Sequence, residues 1–71
     1  KSSEIVYKKA FCLMNCLVLD LSENGARLRP DDAEACPEVF LLRLTDGVCH
    51  VCSVAWREDQ ELGVMFVAQL G

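Results

Sequence analysis

The sequence lacks any long hydrophobic run, and it is short of cations. No apolar stretch in its 71 residues approaches the roughly 20 residues that a membrane-spanning helix needs. It also shows no secretory signal peptide with a basic start and an apolar core. Seven lysines and arginines against eleven aspartates and glutamates give a formal charge of −4. That charge argues against a nucleic-acid polymer or an anionic membrane as a partner. We therefore expect a cytoplasmic protein without membrane insertion.

The chain has no internal repeat, no low-complexity tract and too few residues for two domains. Its composition, 52% hydrophobic and 25% charged, is that of a globular domain rather than a disordered chain. A chain of this length buries only about 60% of its unfolded surface, so its stability margin is small. We expect one domain over residues 1–71. Because Lys1 is not an initiator residue, we expect a fragment or a chain truncated at its N terminus.

Cysteine, by contrast, is abundant, with five residues in the chain. An odd number cannot be fully paired within one chain, and without a secretory signal reduced, buried thiols are expected. Cys49 and Cys52 have the Cys-x-x-Cys spacing of half a zinc site, and Cys12 and Cys16 offer the other half. They fall, however, on a predicted strand, where residues three apart point to opposite faces, and the glycine of a zinc knuckle is missing. We expect no metal.

Catalytic patterns are also scarce. His50 lies beside Cys49, but nothing in the sequence suggests an orienting partner or an oxyanion site for a Cys–His nucleophile. His50 is expected at the surface of a strand. The acidic cluster in residues 31–34 lacks calcium-loop spacing, so a solvated connecting loop over Asp31–Pro37, with room for one helical turn, is expected. We expect that the protein is not an enzyme.

Short apolar segments bounded by turn residues recur about every ten residues. This spacing predicts an all-β fold, a small six-stranded antiparallel barrel or sandwich, and closure into a barrel would remove exposed sheet edges. The second segment is expected to bend or bulge near Asn15. Asp46-Gly47 between two strands is a strong hairpin signal. The predicted strands cover residues 3–7, 11–19, 25–29, 38–45, 48–56 and 62–67, with turns at Lys8-Lys9 and Arg57–Glu61.

Alternation within these strands predicts which side chains face the core. Ala26 and Leu28 are expected to face inward, whereas the arginines are expected to be solvated outward residues. Trp56 is expected to pack in the core. The predicted shared faces are Phe40, Leu42 and Leu44 in the fourth strand, Cys52, Val54 and Trp56 in the fifth, and Val64 and Phe66 in the sixth, opposite Gly63 and Met65.

One stretch, Asp20-Leu21-Ser22-Glu23-Asn24-Gly25, joins two of these strands. It has two interpretations. It is either an ordinary turn, in which Asp20 and Ser22 cap local N–H groups and Gly25 supplies a positive φ, or a set of oxygen acceptors presented to a ligand at a strand end. Spacing alone favours the ordinary turn.

Beyond that spacing, the stretch resembles the second motif of the PilZ domain family, an Asp or Asn, any residue, Ser, any two residues and Gly. Asp20, Ser22 and Gly25 match this motif in full. The surrounding sequence is similar to the family as well, and the resemblance extends from about Ile5 to Phe66. The further matching segments are Cys16-x-Val18-x-Asp20, Gly25-Ala26-Arg27-Leu28, Cys52-Ser53-Val54-Ala55-Trp56-Arg57 and Gly63-Val64-Met65-Phe66.

The resemblance implies a six-stranded β-barrel that serves as a bacterial signalling module, because many PilZ domains bind the second messenger cyclic di-GMP. It implies that Asp20 accepts hydrogen bonds from guanine N–H groups and that Ser22 adds a hydroxyl contact. Gly25 would allow a positive φ or a close approach of the backbone. Arg27 or Arg57 would reach a ligand near the turn.

The chain departs from the family in its first motif, a pair of arginines spaced Arg-x-x-x-Arg before the first strand. Lys1 is the only cation before that strand here, and Lys8 and Lys9 follow it. Since arginine pairs with phosphate through two parallel hydrogen bonds that lysine cannot copy, two expectations stand side by side. Either the arginines precede Lys1, or this is a degenerate member that does not bind the nucleotide and acts through protein–protein contacts.

Overall fold

Alternating apolar residues build six antiparallel strands that close into a barrel, in the order β1-β2-β3-β6-β5-β4. The computed structural model describes residues 2–7 and 12–70. The predicted all-β, six-stranded antiparallel barrel is therefore confirmed, while the predicted Lys8-Lys9 turn lies outside the described residues. The strands are β1 Ser2–Tyr7, β2 Cys12–Leu21, β3 Gly25–Pro30, β4 Val39–Leu44, β5 Cys49–Glu58 and β6 Glu61–Leu70.

The inward-facing side chains of the strands form the core. The fully buried ones come from five strands: Ile5, Leu28, Leu42, Cys52 and Leu62. The residues on either side of Leu28 and Leu42 are more exposed, as the two-residue period of a strand requires. The predicted inward faces of β3, β4 and β6 are confirmed. No helix among the described residues is long and apolar enough to cross a membrane.

A bulge in β2 lies closer to the motif turn than the sequence predicted. The expected bend near Asn15 is wrong, because β1 and β2 pair without interruption from Ser2–Leu17 to Tyr7–Cys12. Instead, the β2–β3 register shifts between Val18 and Asp20. An extra residue on one strand reverses the faces that follow it. Val18, which precedes the extra residue, is buried. Asp20, which follows it, faces the outside of the barrel.

A second bulge, in β5, overturns two predictions for Trp56. The β5–β6 register shifts between Val54 and Trp56, so Ala55 is the extra residue. Val54 keeps its inward position, but Trp56 turns outward and is 45% exposed. The predicted face shared by Cys52, Val54 and Trp56 and the core position of Trp56 were both wrong, since a two-residue period cannot reveal a bulge.

The connections are short. The predicted turn over Arg57–Glu61 is tighter than expected, because β5 continues to Glu58 and only Asp59 and Gln60 lie between the strands. Both have a positive φ, 50° and 64°, as a two-residue hairpin turn requires. The predicted Asp46-Gly47 hairpin is confirmed, with Gly47 at φ 89°. The predicted Asp31–Pro37 loop contains one 3₁₀ turn, Ala33–Ala35, capped by the Asp32 carboxylate.

Among the cysteines whose side chains the structure describes, Cys16, Cys36 and Cys52 are buried. Burial in apolar surroundings disfavours the thiolate. It raises the pKa of Cys16 from 9.0 to about 11 and that of Cys52 to about 12, and it also raises the pKa of Cys36. These thiols are packing residues and poor nucleophiles.

We expect the free energy of unfolding to fall as the pH rises from about 9 toward 11. The unfolded thiols lose their protons near pH 9, whereas Cys16 and Cys52 keep theirs in the folded barrel up to about 11 and 12. The unfolded state then binds fewer protons, so each thiol lowers stability by about 1.4 kcal/mol per pH unit in this window. Urea unfolding at several pH values measures the slope. A Cys52→Ala variant should lose part of it, and an unchanged slope would contradict the account.

Candidate functional site

The motif turn is held together by Ser22. Its hydroxyl donates to the carbonyl oxygen of Gly25 at 3.1 Å and accepts from the Gly25 N–H at 3.2 Å. The Ser22 N–H also donates to the same carbonyl, at 2.9 Å. On the far side of the turn, the Asn24 carbonyl accepts from the Phe66 N–H at 2.8 Å. Ser22 thus fixes the turn, and the turn is fastened to β6.

Gly25 is required by a close approach of two backbones. The β3 residue pairs with Met65 of β6, and a Cβ at Gly25 would collide with the carbonyl oxygen of Val64. Its φ is not among the positive values of the chain, which occur at Gly47, Asp59 and Gln60 among the described residues. Of the two roles expected for Gly25, the structure supports close approach and not a positive φ.

Asp20 projects outward and forms an ion pair with Arg27, its partner across the β2–β3 ladder. The Arg27 Nε donates to Asp20 Oδ2 at 2.8 Å, and a second guanidinium nitrogen lies 2.7 Å from the same oxygen. Arg27 is also 3.6 Å from Glu61, which binds Arg29 at 2.7 Å. Because the Asp20 side chain is 69% exposed, such a pair adds little stability, and its carboxylate remains available to a ligand.

The register places four residues in one row across the outside of the barrel. Asp20 pairs with Arg27, Arg27 with Gly63, and Gly63 with Trp56. A Cβ at Gly63 would collide with the Trp56 indole, so the ring lies over Gly63 of β6. Because β6 is the neighbour of β3 and neighbouring strands are roughly 4.8 Å apart, the ring is about one strand spacing from Arg27 and about two from Asp20.

This outer surface, which we call the motif face, includes an open depression of about 310 Å³. The turn and the start of β3 form one wall, and β6 forms the other. A shallow, open surface of this kind suits a flat ligand better than an enclosed substrate. The depression is lined by Asp20, Leu21, Ser22, Asn24, Gly25, Ala26, Arg27, Val64 and Met65.

Arg57 does not lie with the other predicted site residues. The β5 bulge turns it toward the end of the barrel, where it is half-buried and donates hydrogen bonds to the carbonyl oxygens of Ala33 and Cys36. It also pairs with Glu38 at 2.8 Å. Its expected position as a solvated outward residue was wrong, because its side chain anchors the loop that follows β3.

The end of the barrel around Arg57 is acidic. Its cleft of about 400 Å³ is lined by Asp31, Asp32, Glu34, Glu58 and Asp59 beside that one arginine, which makes it a poor site for an anion. Within residues 2–7 and 12–70, no group of three or more His, Cys, Asp or Glu side chains is arranged to hold a metal ion. His50 stacks on Phe66 with ring centroids 4.0 Å apart.

Comparison with known protein families, with curated proteins and with solved structures finds no match for this chain.

Of the predicted site residues, Asp20, Ser22, Gly25 and Arg27 therefore meet on the motif face and Arg57 does not. Sequence reasoning missed Trp56 as a member of this face. Gly63 was the available signal, because a glycine in a strand marks a place where a neighbouring group approaches closely.

Proposed function

We propose that this barrel is a signalling module of PilZ type that binds cyclic di-GMP on the motif face. The observation that carries the proposal is the row of Asp20, Arg27 and Trp56 on one outer surface beside the Ser22–Gly25 turn. The two bulges place Asp20 and Trp56 on the outer surface of the barrel and not in its core. A binding role for these side chains accounts for that arrangement.

Asp20 would recognise the guanine base. The Watson–Crick edge of guanine presents two neighbouring N–H donors, and a carboxylate is an acceptor with two oxygens. Binding would exchange the exposed Asp20–Arg27 pair for these hydrogen bonds. Arg27 would then turn its guanidinium to a phosphate oxygen, a charge-assisted contact. The exchange costs little because the original pair is solvated.

Trp56 would supply a stacking surface for the base. The ring lies over Gly63, one strand away from Arg27, and it is 45% exposed. Stacking of a base on an aromatic side chain contributes on the order of 1–3 kcal/mol and does not require charge. An exposed indole in this position explains why β6 carries glycine at residue 63.

The phosphates are the weak point of the site. Arg27 and Arg29 are both engaged by carboxylates, and the 71 residues contain no Arg-x-x-x-Arg pair. Each missing charge-assisted contact lowers affinity by roughly 10- to 150-fold. We therefore propose that this chain alone binds weakly and that further arginines from outside it complete a tight site.

Fluorescence of Trp56, the sole tryptophan, tests the proposal. Titration with cyclic di-GMP should quench the indole in a saturable manner, whereas cyclic di-AMP, which lacks the two N–H donors, should quench it far less. Equal responses to both nucleotides, or a response no greater than that of free tryptophan, would contradict the proposal.

A second function, protein–protein contact without nucleotide, is favoured by one observation. Large apolar side chains are exposed on the outside of several strands, including Leu13 at 59%, Val39 at 58% and Met65 at 58%. Where exposed apolar residues are contiguous, they typically mark a surface that another protein covers. If the fluorescence titration shows no specific response, this becomes the leading proposal.

A further inference from the structure

Arg27 and Arg29 lie side by side on the outer face of β3. They are two residues apart on a strand that pairs with β6 without a bulge, so their side chains leave the same face about 6.6 Å apart. Both side chains are about half exposed, 47% and 54%, whereas Leu28 between them is buried. Two neighbouring guanidinium groups of this kind can bind one oxyanion together.

A carboxylate of the same chain occupies the position between the two arginines. Glu61, the first residue of β6, offers one oxygen to each of them. Its Oε2 accepts a hydrogen bond from Arg29 at 2.7 Å, and its Oε1 lies 3.6 Å from Arg27. The Glu61 side chain is only 18% exposed. It presents two oxygens to the arginines as one edge of a phosphate group would.

The surroundings of Glu61 weaken its hold on this position. Glu58 pairs with Glu61 directly across the β5–β6 hairpin, and like charges opposite each other on neighbouring strands repel. Arg27 lies closer to Asp20 than to Glu61, at 2.7 Å against 3.6 Å. At close range Glu61 is therefore held by Arg29, against repulsion from Glu58. An oxyanion that reaches both arginines can replace it.

Space for a ligand lies on either side of the arginine pair. Arg27 lines the depression of the motif face. Arg29 lines a second depression of about 530 Å³, whose other walls come from β1, β2 and the turn at Gln60. A molecule that enters from the motif face can thus extend past Arg27 to Arg29.

The charges of this cluster are balanced until a base arrives. Asp20, Arg27, Glu61 and Arg29 comprise two anions and two cations. When a guanine base engages Asp20, as proposed above, Arg27 loses its nearest counter-charge. The three remaining groups then carry a net positive charge, which attracts the phosphate of the same ligand.

We propose that Arg27 and Arg29 form an oxyanion site for a phosphate ester and that Glu61 is the internal anion that closes it. The inference deepens the proposed function and rests on it for the identity of the ligand. Base recognition at Asp20 releases Arg27, and the ligand phosphate then displaces Glu61, whose carboxylate turns to solvent. A ligand that carries both base and phosphate is thereby favoured over a phosphate alone.

The test removes the internal anion and leaves both arginines in place. Glu61→Gln keeps the shape of the side chain and also removes the repulsion by Glu58, so the barrel should remain folded, which circular dichroism checks. Inorganic phosphate is titrated at constant ionic strength, and NMR follows the Arg27 and Arg29 amides. Glu61→Gln should bind phosphate at least roughly tenfold more tightly than the unmodified chain, and cyclic di-GMP should gain by a similar factor.

Glu4→Gln is the matched control. It removes the same charge from an outward carboxylate, but that carboxylate pairs with one arginine, Arg43, rather than bridging two. Its phosphate affinity should stay within about twofold of that of the unmodified chain. Adding Arg29→Gln to Glu61→Gln should abolish the gain, because one guanidinium remains.

The phosphate and nucleotide arms separate this inference from the function on which it rests. Equal phosphate affinities of Glu61→Gln and the unmodified chain, or an equal gain in Glu4→Gln, would overturn the inference and leave Glu61 as a structural partner of the arginines. Cyclic di-GMP binding that Glu61→Gln does not tighten would also overturn it. A gain for phosphate without any response to cyclic di-GMP would support the arginine site and contradict the nucleotide proposal.

Discussion

Gly25→Ala is expected to lower the free energy of unfolding by roughly 3 kcal/mol. A methyl group at this position would collide with the Val64 carbonyl oxygen, which belongs to a paired backbone and cannot swing aside as a side chain could. For a domain of this size, with a total stability of roughly 4–10 kcal/mol, the loss corresponds to a fall in Tm of about 15 °C or more.

Gly47→Ala provides the matched control for that experiment. Gly47 has a φ of 89°, and nothing lies within 4 Å of a Cβ built there. Its replacement brings only backbone strain, about 1 kcal/mol. If Gly25→Ala lowers the Tm no more than Gly47→Ala does, then the β3 and β6 backbones do not approach each other closely at Gly25, and the account of this glycine is contradicted.

Asp20→Asn is expected to weaken cyclic di-GMP binding by at least roughly tenfold. The amide keeps the shape of the side chain but replaces one acceptor oxygen by a donor, which opposes one of the two guanine N–H groups. Stability should change by less than about 1 kcal/mol, because the lost ion pair with Arg27 is exposed. Calorimetry with the nucleotide, together with thermal unfolding, measures both effects.

Glu4→Gln removes the same unit of charge from a matched ion pair elsewhere on the barrel. Glu4 pairs with Arg43 across the β1–β4 ladder, and the Arg43 Nε donates to Glu4 Oε1 at 2.9 Å. Glu4 lies opposite Asn15 of β2, five residues before Asp20, which at about 3.3 Å per residue exceeds the Debye length of about 8 Å at physiological salt. Affinity should stay within about twofold, and equal losses from Asp20→Asn and Glu4→Gln would show that Asp20 acts only through net charge.

The barrel itself follows from the sequence because the two-residue period is strong. Ile5, Leu28, Leu42 and Leu62 each mark an inward face, and Asp46-Gly47 fixes one hairpin. The period fails only where a strand carries an extra residue. Bulges are selected by pairing with the neighbouring strand, which a single strand's sequence does not display, so Trp56 and Arg57 were both placed on the wrong side.

In the motif, too, the local sequence shows some features, whereas others depend on contacts with other strands. Its polarity and spacing singled out Asp20, Ser22 and Gly25 in the sequence, and the structure gathers them with Arg27. Their present roles depend on tertiary partners. Gly25 is required by Val64 on another strand, and Asp20 is exposed only because of the bulge at Leu19. The motif thus predicted where the site lies better than what each residue does there.

An NMR titration of the isotope-labelled chain with cyclic di-GMP tests the central claim most directly. We predict concentration-dependent shifts of the backbone amides of Asp20, Ser22, Gly25 and Arg27 and of the Trp56 indole N–H, with the remaining resonances nearly fixed. Because the affinity of this chain alone is expected to be low, the titration should extend to millimolar nucleotide. No shifts at that concentration, or shifts confined to the acidic end around Asp59, would contradict nucleotide recognition by the motif face.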